Sequence, residues 1–156
     1  HQQLVILINK FGDLVAENQI VLNDFEKIFQ ELRDYTAYHF TEEEAMMTKA
    51  GLDQRHLKKH FEIHRGFLHE ISDMYKDISH ENPDAAKHLL DFLIHWLVYH
   101  ILGTDQNMAR QVGAIRTGMT PKQAFEKEEK EQGSILTAVE TDLIIYFLET
   151  GACLVT

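Results

Sequence analysis

Apolar residues recur at three- and four-residue spacing along almost the whole chain, and that period confines it to helices. Leu4, Val5, Leu7, Ile8, Phe11, Leu14 and Val15 form one stripe. Phe25, Ile28, Phe29, Leu32, Tyr35, Tyr38 and His39 form a second, within a segment from about Asp24 to Ala50. Leu57, His60, Phe61, His64, Phe67, Leu68 and Ile71 form a third, from about Asp53 to Ser79. A fourth runs from about Pro83 to Val112. The breaks carry the expected punctuation: Asn18 and Asn23–Asp24 as a turn and N-cap, Gly51 as a C-cap with Asp53 capping the next helix, and Asn82-Pro83-Asp84. Four helices with short connections predict an all-α, up-down-up-down four-helix bundle. Only two prolines and eight glycines among 156 residues argue against a turn-rich β fold.

Charge narrows the function. Fifteen Lys and Arg against 25 Asp and Glu give −10 with histidine neutral, which disfavours nucleic acid and an anionic membrane surface as partners. One cysteine, Cys153, excludes an internal disulfide and a thiolate metal site, so the cytosol is the default compartment. The longest apolar candidate, Ile135 to Leu148, is interrupted by Glu140, Thr141 and Asp142 and is too short to span a bilayer.

Ten histidines are the anomaly. Three local patterns stand out: His39-x-x-x-Glu43, His60-x-x-x-His64 and His100-x-x-x-x-Asp105. Residues four apart share one helix face, so the first two pairs can each serve one metal ion. Residues five apart lie about 140° from each other on an ideal helix. Asp105 therefore joins His100 only through a locally widened turn, which Gly103 makes accessible. The patterns fall in core-forming neighbourhoods on three helices, flanked by Phe40, Met46 and Met47, by Phe61, Ile63 and Phe67, and by Trp96, Leu97, Ile101 and Leu102. Burying imidazoles and carboxylates there costs several kcal/mol unless they pair or bind metal. His1 can add a ligand from the first helix. Five histidines and two carboxylates exceed one ion's needs and suit two, with iron, manganese or zinc matching nitrogen and oxygen donors. No Glu-x-x-His occurs, so the usual carboxylate-rich bundle pattern is absent.

The ordered motifs His39-Phe-x-x-Glu-Glu with Met47, His60-x-x-x-His64-x-x-Phe67, and Trp96-Leu-x-x-His-Ile-Leu-Gly-Thr-Asp105 resemble the hemerythrins, specifically the bacteriohemerythrins. The opening His1-Gln-Gln-Leu-Val-x-x-Ile-Asn9 is similar to the first-helix motif of that family. The resemblance covers about residues 1–112, taken as one domain, with 113–156 as a helical extension. It implies two non-heme irons bridged by an oxo or hydroxo group and reversible O2 binding without catalysis. His60, His64 and His100 would hold one iron, and His1 and His39 the other, which keeps an open position. Glu43 and Asp105 would bridge. Phe40, Met47, Trp96 and Ile101 would be core residues lining an O2 pocket. His60 and His64 are preferred over a His56/His60 register because Phe67 follows at the family spacing, leaving His56 as a nearby or surface residue.

The tail, Val112-Gly-Ala-Ile-Arg-Thr-Gly-Met-Thr-Pro-x-x-Ala-Phe-Glu126, resembles the extension of family members that serve as inputs to signalling proteins such as diguanylate cyclases. That implies an oxygen or redox sensor linked to an output domain, with residues 134–148 coupling to it or to a second copy in a homodimer. A fifth helix packed on the bundle of a plain O2 carrier or store is the competing expectation, and a di-iron enzyme acting on peroxide or nitric oxide is a third.

Overall fold

The computed structural model describes residues 1–16, 22–79, 82 and 84–131. Its helices are α1 (Gln2–Ala16), α2 (Leu22–Ala50), α3 (Gln54–Lys76), α4 (Asp84–Tyr99) and α5 (Gln106–Arg116), with a π-helical turn, His100–Asp105, joining the last two. Residues 121–131 form a further helix, α6. Among the described residues β structure is limited to one bridge between Ser79 and Asn82. α1 packs on α2 and α4, and α3 packs on the same two, which closes the ring of an all-α bundle. α5 prolongs α4, leans on α2 and continues past 112 to Arg116.

The α2–α3 reversal follows from local chemistry. Gly51 has φ +72°, a left-handed conformation that costs glycine nothing. Its N–H donates to Thr48 O at 3.1 Å, and the Leu52 N–H donates to Met47 O at 3.3 Å, which satisfies the last carbonyls of α2. Leu52 and Met47 are buried in the same apolar group, the hydrophobic contact that accompanies such an ending. Asp53 then accepts the Arg55 N–H at 2.9 Å and caps α3. The Asn23–Asp24 cap is not observed. α2 already begins at Leu22, so both residues lie in its first turn, where Asp24 complements the helix dipole instead. Asn18, Pro83 and residues 134–148 lie outside the described residues.

The core has two apolar layers. Leu4, Leu7, Phe11, Phe25, Phe29, Leu32, Ile71, Leu89 and Leu93 anchor the larger, and Met47, Leu52, Leu57, Met108 and Val112 form the smaller. Each full burial of this kind is worth about 1.5–3 kcal/mol. Along α2 the order is Phe40, Glu43, Met47; along α3 it is Leu57, His60, His64, Phe67; along the α4–α5 rod it is Leu97, His100, Asp105, Met108. A polar layer is thus held between two apolar ones.

α6 starts with a capping box: the Gln123 N–H donates to Thr120 Oγ1 at 3.3 Å, and the Thr120 N–H donates to Gln123 Oε1 at 3.0 Å. It packs on the bundle through buried Ala124 and Glu128, the latter accepting from Arg110 Nε at 2.7 Å. The Arg55 guanidinium lies 4.3 Å over the Phe125 ring.

Candidate metal centre

Glu43 from α2, His60 and His64 from α3, and His100 and Asp105 from the π turn converge in the polar layer, all buried. The wide turn places His100 and Asp105 on one side despite their five-residue spacing: His100 Nε2 is 3.1 Å from Asp105 Oδ1. His64 Nε2 lies 3.2 Å from His100 Nε2 and 3.4 Å from Glu43 Oε2. His60 Nε2 lies 3.6 Å from both Glu43 Oε2 and Asp105 Oδ1. Donor atoms set at right angles about 2.1 Å from one ion are about 3.0 Å apart, so this spacing fits a shared cation.

The other side of the layer holds His1 and His39, which group with Glu43. Their rings meet edge-on with centroids 4.9 Å apart. His1 Nε2 lies 2.7 Å from Asp105 Oδ2. Asp105 therefore turns one oxygen to the His60/His100 side and the other to His1, and Glu43 belongs to both groups. His39 Nε2, Glu43 Oε2, His60 Nε2 and both Asp105 oxygens are buried and, close as the imidazole nitrogens lie, make no hydrogen bond of proper geometry. Leaving so many such atoms unpaired costs about 1–3 kcal/mol each, and two cations among them would satisfy all five.

Electrostatics agrees. Burial, reinforced by the Glu43 charge, pushes the Asp105 carboxyl up to about 8. Burial acts on Glu43 in the same sense, but the facing His60 and His64 outweigh it and hold that carboxyl well below the usual range. Burial, then the neighbouring His64 and His60, brings His100 down to about 3. Burial also lowers His39. Neutral His39 and His100 and an ionised Glu43 are forms that ligation requires, and Asp105 would give up its proton to a cation.

Aromatic rings seal this layer on its large-core side. Phe40 stacks on His64 at 3.7 Å and 2°, and Trp96 stacks on His100 at 4.2 Å and 16°. Ile101 packs against the same cluster, whereas Met47 sits in the smaller apolar layer beyond Glu43.

Several neighbours escape the spacing rules. His64 Nδ1 is 3.0 Å from Glu44 Oε1. His56 is buried rather than at the surface, its Nε2 3.4 Å from His60 Nδ1 and its Nδ1 against Gln111 of α5. Gln111 and Asn107, from α5, complete this chain: Gln111 Nε2 is 2.9 Å from His56 Nδ1 and donates to Asn107 Oδ1 at 2.6 Å. The His56/His60 spacing was the one sequence sign of it. Among the other described histidines, His69, His88 and His95 are exposed.

A buried cluster of histidines and carboxylates at the centre of a helical bundle, with side chains from facing helices converging on it, is where bundle proteins hold metal ions. Within that class the chain belongs to the hemerythrin family: the Hemerythrin HHE cation binding domain matches residues 1–112. It is similar to the bacteriohemerythrin of Clostridium acetobutylicum, 28% identical over 110 residues, covering 68% of this chain and 83% of that one. The bacteriohemerythrin of Pseudomonas aeruginosa is 30% identical over 120 residues, covering 77% and 73%. That of Stenotrophomonas maltophilia is 29% identical over 114 residues, covering 73% and 71%. No solved structure gives a significant match.

Proposed function

We propose that this chain is a non-heme di-iron domain that binds O2 reversibly. His60, His64 and His100 would hold one iron and His1 and His39 the other, with Glu43 and Asp105 shared between the two groups. The observation that carries the reading is the unequal division of histidines across two shared carboxylates, three on one side and two on the other. When bound, the iron pair supplies two electrons and one open coordination position for O2. The residues do the rest. Glu43, ionised and shared, offsets cationic charge in a buried layer. Phe40 and Trp96 fix the His64 and His100 ring planes and keep water from the large-core side. A small apolar gap of about 10 Å3 between Leu4, Ile8, Thr36, Phe67 and Trp96 borders that side and offers an ordered water almost no polar partner.

α6 packs on the bundle, the arrangement expected of a plain O2 carrier or store, and it also touches the site-bearing α3, the contact through which a sensor with an output domain or a second copy as partner would read the site. The test is iron content with a visible spectrum, on reduced protein and again in air. About two irons per chain and a new charge-transfer band on oxygenation are expected. Protein that holds no iron, or iron-loaded protein that gains no band, refutes the reading. Sustained consumption of peroxide or nitric oxide would replace binding with enzymatic activity.

A further inference from the structure

We propose that His56 is a positioning residue for the metal centre: it accepts a hydrogen bond from His60 Nδ1 and so fixes that ligand's orientation and donor strength. The proposal rests on the di-iron reading above and concerns residues that reading does not use. His60 Nε2 faces Glu43 and Asp105 with no hydrogen-bond partner, so Nε2 is the atom offered to a cation. A neutral imidazole that ligates through Nε2 carries its hydrogen on Nδ1. The nearest acceptor for that hydrogen is His56 Nε2, 3.4 Å away.

The direction of this bond propagates. If His56 Nε2 accepts, His56 keeps its own hydrogen on Nδ1, and the group 2.9 Å from Nδ1 is the Gln111 amide. An N–H there must meet an oxygen. The Gln111 amide carries a buried Oε1 without a partner, and turning the amide over brings that oxygen to His56. Asn107, turned likewise, then donates to the same oxygen. In the opposite direction, Gln111 donates to His56, His56 donates to His60 Nδ1, and His60 keeps its hydrogen on Nε2, where it blocks ligation. A cation on His60 therefore selects one of two directions for the whole chain.

The three imidazoles of this side then differ in what backs them. His64 Nδ1 faces the Glu44 carboxylate at 3.0 Å, His60 Nδ1 faces neutral His56, and His100 Nδ1 is buried with no partner. An acceptor behind a ligating imidazole raises its basicity and fixes its ring, and losing it costs 10–100-fold in metal affinity. His56 and Asn107 also line a cavity of about 90 Å3 with Lys59, Ile63, Tyr99 and Thr104, so the backing chain borders the outside on the side away from His1 and His39.

The test compares His56→Phe, which removes the acceptor at similar size, with His56→Gln, whose Oε1 can restore it. Iron affinity by chelator competition and the midpoint potential of the loaded protein are the readouts, with the melting of metal-free protein as the fold control. His56→Phe is expected to bind iron at least about ten-fold more weakly and to shift the potential upward, since a less basic ligand stabilises ferric iron less. His56→Gln is expected to recover most of both. Gln111→Leu, which leaves His56 in place but removes its anchor, should move both readouts the same way by less, and serves if His56→Phe does not fold. Wild-type affinity and potential in His56→Phe, or in Gln111→Leu, overturn the proposal, as does a His56→Gln protein no better than His56→Phe. Wild-type protein that holds no iron overturns this proposal together with the di-iron reading; two irons in wild type with silent variants overturns this proposal alone.

Discussion

Asp105→Asn separates what the site costs from what it does. The Asp105 side chain is 7% exposed, and burial with the Glu43 charge moves its ionisation from 3.8 to about 8. A raised carboxyl leaves stability intact below the unfolded value and subtracts from it as pH climbs toward the folded value. Each pH unit between the two subtracts about 1.4 kcal/mol, so the difference, 8 − 3.8 = 4.2, sets an upper limit of about 6 kcal/mol above pH 8. Relaxation and water entry around a buried charge reduce such figures, and about 3 kcal/mol is the working expectation. Asparagine keeps the shape and cannot ionise. Metal-free Asp105→Asn should therefore outlast metal-free wild type in urea, with a gain growing from near 1 kcal/mol at pH 5 to about 3 kcal/mol at pH 8.5. The same variant lacks a shared carboxylate and should no longer hold two irons per chain. A gain that does not change with pH, or a loss at pH 8.5, would refute the account of the buried charge.

Metal-free wild type should be most stable near pH 6.5. His100 and His56, lowered to about 3 and about 4 by burial and their imidazole neighbours, contribute stability that is full above 6.5 and lost as pH falls, while Asp105 removes it as pH rises toward 8. Between pH 4 and 6.5 these two histidines, with His39 lowered in the same sense, oppose one carboxylate, so stability should rise with pH by at least about 1 kcal/mol per unit, readable by denaturant titration across pH. Phe40→Ala, which empties a buried ring stacked on His64, should cost about 3–5 kcal/mol in chemical denaturation and loosen iron retention under chelator. Glu128→Ala should cost about 1 kcal/mol, because its partner Arg110 stays half in water, and hydrogen exchange should locate the loss in residues 121–131.

The fold was legible because one signal, the three-and-four apolar period, runs through every helix, and Gly51 and Asp53 punctuate it by strong local rules. The metal-centre candidates were legible for the same reason: His39/Glu43 and His60/His64 share helix faces, and the misfit of His100 with Asp105 itself pointed to a widened turn, which is present as the π segment. Other features were not local. Glu44 points off the Glu43 face by about 100°, and only the approach of α3 brings His64 Nδ1 to it. His56 shares its face with His60, but its burial depends on Gln111, 55 residues away. Met47 and Phe40 flank Glu43 on α2, and only the packing of the other helices shows that they belong to the two apolar layers on opposite sides of the polar one. Asn23 and Asp24 have capping side chains, but the helix had already begun at Leu22.

The clasp at the start of α3 has a mechanical consequence. Arg55 grips Asp53 through two 2.9 Å hydrogen bonds, covers Phe125 and reaches Glu126 at 3.6 Å, while Lys59 reaches Glu129 at 3.7 Å. One turn on are His60 and then His64, within about 14 Å of Arg55 along a single uninterrupted helix. A helix that short behaves as a stiff rod, so an axial displacement at the imidazoles reaches the clasp almost undiminished. An axial displacement of α3 would therefore carry the clasp residues with it and meet α6 through contacts that are half in water.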